Sequence, residues 1–127
     1  MGITVKQSDR THIQTRQQAA KARKVSPHAI EQVFAHWKET INPTSKAVLD
    51  DKRTIRIGWA IHDYGIEACK QAINGIKNSP WHMGHNPRNK KYNDIELIFR
   101  HADNVERFIT LSEQRDARTE FLNDPNW

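Results

Sequence analysis

Between residues 79 and 92 the chain reads SPWHMGHNPRNKKY, which gathers more chemically capable side chains than any other stretch. His82 and His85, two residues apart, have a spacing that can chelate a metal ion. A zinc site needs two further ligands, and the lone Cys69 cannot complete a thiolate set. No spacing recommends His62, Asp94 or His101 for the task, so no metal and no cofactor are expected. His82, His85 and Asn86 also echo the letters of a metal-dependent His-Asn-His nuclease. That chemistry requires a hairpin-plus-helix frame, whereas Gly84 and Pro87 read as turn-makers. Neither a phosphate-cradling glycine loop nor a serine elbow is present, and the expectation is a protein that is not an enzyme. A nucleic-acid contact asks less. Arg88, Lys90 and Lys91 supply positive charge, Asn86 and Asn89 supply amides, and Trp81, His82 and Tyr92 can stack on bases at about 1–3 kcal/mol each. Trp81 and Tyr92 equally suit anchoring the loop to a core.

Charge extends this reading. The 127 residues carry a net +5, unevenly placed. Residues 1–25 hold six basic groups, including Lys21, Arg23 and Lys24, against Asp9 alone, and residues 77–91 hold four with no acid. The middle is balanced, and beyond residue 91 eight acids face four arginines. Clustered cations of this kind favour a polyanion, because neutralising phosphates releases condensed counterions. Lys52, Arg53 and Arg56 form a third basic face.

The elements that position these groups are helical. Ser26-Pro27 reads as a helix start, and Ile30, Val33, Phe34, Trp37 and Ile41 recur at helical spacing, which predicts a helix over 27–41 stopped by Asn42-Pro43. A second, central helix is expected over 47–63 with Gly65 beyond its end, and a third through Ile66, Cys69, Ile73 and Ile76 to about Asn78. Asn93 with Glu96 reads as a capping box, Asp103 with Glu106 repeats it, and one bent helix or two short ones fit 93–112. Helix is also expected over Gln14–Lys24 and onward to about Leu122, where Phe121, Leu122 and Trp127 are available for docking on the core or a partner. Strand patterning is nearly absent. The expected fold is all-α: a small single-domain bundle of four to six helices over 26–112, with a flexible or partly helical basic arm at 1–25 and an extension at 113–127. A mean hydropathy of −0.86 and the polar N-terminus predict a cytoplasmic protein without membrane spans. Cys69 reads as a buried structural thiol.

Four stretches in order, VFAHWKETI, LDDKRTIRIGWAI, ACKQAINGIKNSPWHMGHN and KYNDIELIFRHADNVERFI, resemble a helical domain near the C-terminus of many bacteriophage replication proteins, where it usually follows a DNA-binding winged helix. The resemblance covers about residues 30–109. The layout is also similar to the C-terminal domain of DnaD-type replication proteins, primosome factors that help recruit the replicative helicase. In those the terminal motif contains a Trp, where this chain has Phe99 or Phe108. No winged helix is legible in residues 1–25, which implies a domain from a larger protein or a stand-alone phage or mobile-element product. The resemblance implies a replisome-organising module that binds DNA, single strands over duplex, and touches a helicase or its loader. A protein–protein adaptor or inhibitor of a host or rival factor is the alternative, and a metal-dependent nuclease at the His82/His85 loop a minor one.

Overall fold

The structure, a computed structural model, describes the backbone of residues 7–122 and the side chains of residues 15–113. Phe121, Leu122 and Trp127, expected to dock, lie outside the described side chains. The described residues form six helices: α1 (Gln7–Ala22), α2 (Pro27–Ile41), α3 (Asp51–Tyr64), α4 (Ile66–Lys77), α5 (Ile95–Ile98) and α6 (Ala102–Leu122). The only extended pairing among them is a single antiparallel bridge, Met83 to Lys91. None of these helices is long and apolar enough to cross a membrane.

Helix α2 starts and stops where its sequence says. Ser26 Oγ accepts from the His28 N–H at 3.2 Å, Pro27 opens the first turn, and Ile30, Val33 and Trp37 are buried along one stripe. Helix α3 begins at Asp51 rather than 47. The Asp50 carboxylate accepts the Arg53 N–H at 2.9 Å and so fixes the start, while Ser45 Oγ takes the Ala47 N–H into a local turn. Gly65, with φ of +89°, ends α3 and leads directly into α4.

Helix α4 packs most extensively on α6 and α1 on α3, with α2 lying against both α3 and α4. The α4–α6 crossing is tight because of Gly75, where a Cβ would stand 1.7 Å from the Phe108 carbonyl oxygen. The core between them holds Ile57, Ile73, Ile76, Ile95, Ile98, Phe99, Val105 and Phe108, all fully buried or nearly so. Cys69 is enclosed with them, and burial pushes its thiol up to about 12, the behaviour of an inert structural cysteine.

Three further local expectations change. The helix in the N-terminal segment starts earlier, at Gln7, and its second half docks on α3: Gln18 and Ala22 are buried, and Gly58 of α3 lets the Ala22 methyl approach closely. The capping residue before α5 is Asp94, which accepts from the Glu96 N–H at 2.9 Å. Asn93 is occupied instead in tying the loop down, its carbonyl accepting from Trp37 Nε1 at 2.8 Å and its amide pointing at Met83 Sδ. Asp103 and Glu106 form no second box. The Glu106 carboxylate accepts the Tyr64 hydroxyl at 2.7 Å, and Asn104 Nδ2 donates to the Leu97 carbonyl across the α5–α6 corner.

Candidate nucleic-acid interface

Residues 79–92 form an ordered clasp between α4 and α5. Pro80 follows the end of α4, and its carbonyl accepts from the N–H groups of both Met83 and His85. Gly84 takes φ of +108° and Asn89 φ of +48°, so the chain turns twice and returns along itself. The return is locked by the Tyr92 N–H donating to the His82 carbonyl at 2.8 Å. At the centre Asn86 makes four bonds. Its amide nitrogen donates to the carbonyls of Trp81 and Lys90, and its oxygen accepts from the N–H groups of Arg88 and Lys90. These bonds use both polar atoms of the side chain, which makes Asn86 the pin of the loop.

His82 is also structural. Its Nδ1 lies 2.7 Å from Ser79 Oγ, and its ring meets the rings of Phe108 and Trp81 edge-on, each at 5.1 Å. Burial, helped by the charge of Arg107, lowers its pKa from the ordinary value, so it holds its place as a neutral imidazole. Among the described residues no group of three His, Cys, Asp or Glu side chains comes together as a metal would require.

The clasp presents an aromatic step. Trp81 stacks on Tyr92 with ring centroids 4.9 Å apart and planes 17° from parallel, and Lys90 Nζ lies 5.5 Å from the Tyr92 centroid. Trp81 is nevertheless 50% exposed, an unusual state for a tryptophan in so small a domain. Arg88, Lys90 and Lys91 are exposed, and no carboxylate among the described residues pairs with them.

The basic face on α3 is mostly internal. Arg56 is 5% exposed; it lies 3.5 Å from Glu96, donates to the Arg100 carbonyl at 3.2 Å and bonds Gln18 Oε1. Arg53 is clamped by Asp94 at 2.7 Å and Asp50 at 3.3 Å. The two arginines fasten α1 and α5 to α3, and only Lys52 is left largely open, 3.9 Å from Glu96. Burial lowers the Arg56 pKa, while the hydrogen bond to Asp94 raises that of Arg53 against a smaller desolvation cost. Burial works against the Glu96 and Asp94 carboxylates, but their arginine partners (Arg100 for Glu96, Arg53 for Asp94) outweigh it and hold both below the usual range. In the N-terminal segment Lys21 pairs with Asp63 at 3.0 Å, which leaves Arg23 and Lys24 exposed.

Of the thirteen residues that the sequence nominates, five are therefore engaged within the protein: Lys21, Arg53, Arg56, His82 and Asn86. Trp81, Tyr92, Arg88, Lys90 and Lys91 come together on one clasp, while Arg23, Lys24 and Lys52 stand elsewhere on the surface. A further polar cluster escaped the sequence reading. His36 of α2 meets Asn74 of α4 at 2.9 Å, beside the buried Ser112 of α6. Its members are spread over three helices, and nothing in their spacing announces them. Comparison of the chain with family models, curated proteins and solved structures finds no match in any of the three.

Proposed function

We propose that this protein is a non-enzymatic nucleic-acid-binding module, acting in phage or mobile-element DNA replication, with the clasp at 79–92 as its contact. The observation that carries the reading is the Trp81–Tyr92 stack, with Trp81 half open to solvent and three cations alongside that have no carboxylate partner among the described residues. An indole held flat by a tyrosine beneath it is prepared to receive an unpaired base on its outer face, with little conformational entropy left to lose. Arg88, Lys90 and Lys91 would neutralise phosphates on either side of that base. The stacking step favours single strands, because bases in a duplex already stack on one another. Placement in replication, and contact with a helicase or loader, rest on the sequence resemblance.

The test is intrinsic tryptophan fluorescence together with anisotropy of a labelled oligonucleotide. The expected outcome is quenching on addition of single-stranded DNA, with Trp81→Ala weakening binding by about 1–3 kcal/mol, roughly five- to 150-fold. Unchanged affinity in Trp81→Ala would remove the clasp from the interface.

A second reading, the protein–protein adaptor, has an observation of its own. An apolar groove of about 500 Å³ opens where the end of α1, the start of α2 and the start of α3 meet, lined by Ala22, Val25, Ile30, Leu49 and Ile55. Complex formation with a purified helicase that survives high salt, without any DNA binding, would favour it.

A further inference from the structure

Beside the clasp lies a polar groove of about 530 Å³, where α2, α4 and α6 converge, within the range of roughly 300–1,000 Å³ common for small-molecule sites. Resting on the clasp as a nucleic-acid contact, we infer that this groove is a base-reading subsite, taking the edge of the nucleotide next to the one stacked on Trp81.

The floor of the groove carries the argument. Ser112 is only 7% exposed, yet its hydroxyl has no hydrogen-bond partner among the described residues. No fully enclosed side-chain nitrogen or oxygen among them is left unpartnered, so this hydroxyl must open onto the groove it lines. Opening there, the hydroxyl is served by groove water, whose place a ligand atom can take. On the wall, His36 Nε2 sits 2.9 Å from Asn74 Oδ1, with Thr40 Oγ1 at 3.4 Å from the same nitrogen. This bond fixes the Asn74 amide and leaves its NH₂ with no protein partner among the described residues. Asn78, at the end of α4, adds a second amide with both hydrogen-bonding senses.

Electrostatics selects the kind of ligand. Helices α2 and α4 both bring their C-terminal turns to the groove, so the partial charges of their last carbonyls are negative, and Glu39 adds a carboxylate. Lys77 alone offsets them. A phosphate is disfavoured there, and a neutral planar ring with donors and acceptors on its edge is favoured. Proximity selects the base. Asn78, three positions before Trp81, lines the groove and is followed directly by Ser79, the first residue of the clasp. The groove is thus within reach of the nucleotide adjoining the stacked one, and phosphate contacts on the clasp can be separated from base contacts in the groove.

The experiment compares affinities of the full chain for adenine, cytosine and thymine deoxy-homopolymers, in wild type, Asn74→Ala, Ser112→Ala and Trp81→Ala. The expected result is a preference for one homopolymer, weakened about fivefold and flattened by Asn74→Ala or Ser112→Ala, with the salt dependence of binding unchanged. Asn74 is exposed, so its variant remains informative if Ser112→Ala folds poorly. A second arm adds free nucleosides to Trp81→Ala and follows the amide resonances of Asn74, Lys77 and Asn78, which should move. If both groove variants keep wild-type affinity and preference while Trp81→Ala binds weakly, the subsite is wrong and the clasp stands. If wild type binds no homopolymer, both are wrong.

Discussion

Lys52 and Arg56 stand one turn apart on α3 and carry the same charge, yet methionine at the two positions should act very differently. Arg56→Met removes the partner of Glu96, Gln18 and the Arg100 carbonyl from a nearly buried site, and is expected to cost about 2–4 kcal/mol in a urea melt. Lys52→Met should stay within about 0.5 kcal/mol, since its one ion pair is long and largely hydrated. The clasp gives a second contrast. Trp81→Ala should lose DNA affinity with little change in melting temperature, because the ring is half exposed. Asn86→Ala should lower stability by about 1–2 kcal/mol and speed amide exchange at Arg88 and Lys90, whose N–H groups its oxygen receives. The residue types of this site were legible in the chain, but their division of labour was not. A basic or amide side chain reads the same in a sequence whether it faces a phosphate or a carboxylate 41 positions away, as Arg53 faces Asp94.

The helices were more readable than their contacts. Ser26-Pro27, Asn42-Pro43 and Gly65 are local signals with local causes, and they set the bounds of α2 and the end of α3. The start of α3 and the cap of α5 were displaced because Asp50 and Asp94 each accept a backbone N–H while also pairing with Arg53. The Asp50–Arg53 contact is local, whereas the Asp94–Arg53 pair joins elements far apart in sequence, and periodicity carries no record of it. Glycines at crossings were silent for the same reason. Gly75→Ala would drive a methyl into the backbone of α6 and should destabilise the fold by about 3 kcal/mol or more, read as loss of the cooperative thermal transition at its normal temperature. Gly58→Ala meets the Cβ and Cα of Ala22 most closely, so its effect should concentrate on α1. Limited proteolysis should then cut within α1 before the rest of the chain opens.

At the scale of the molecule, the ion pairs that hold α1, α3 and α5 together tie stability to pH. Glu96, Asp94 and Asp63 have folded-state pKa values below their unfolded ones, so they contribute stability that is complete above about pH 5 and is lost as pH falls through the depressed values. His82, a base whose pKa is lowered in the folded state, adds to the same acid limb below about pH 6.5. Tyr64 works in the other direction. Burial and the bond to Glu106 push it up to about 12, so its contribution is complete below about pH 10 and falls as pH rises toward that value. A plateau in melting temperature from about pH 7 to 9, falling on both sides, is expected. Charge also governs binding, through the clasp. The most direct test of the central claim is the salt dependence of single-stranded DNA affinity, measured for wild type and for the triple variant Arg88→Ala, Lys90→Ala, Lys91→Ala. With about 0.7 counterion released per phosphate neutralised on a single strand, the variant's log–log slope should be shallower by about 2. Equal slopes and equal affinities in the two proteins would contradict the account.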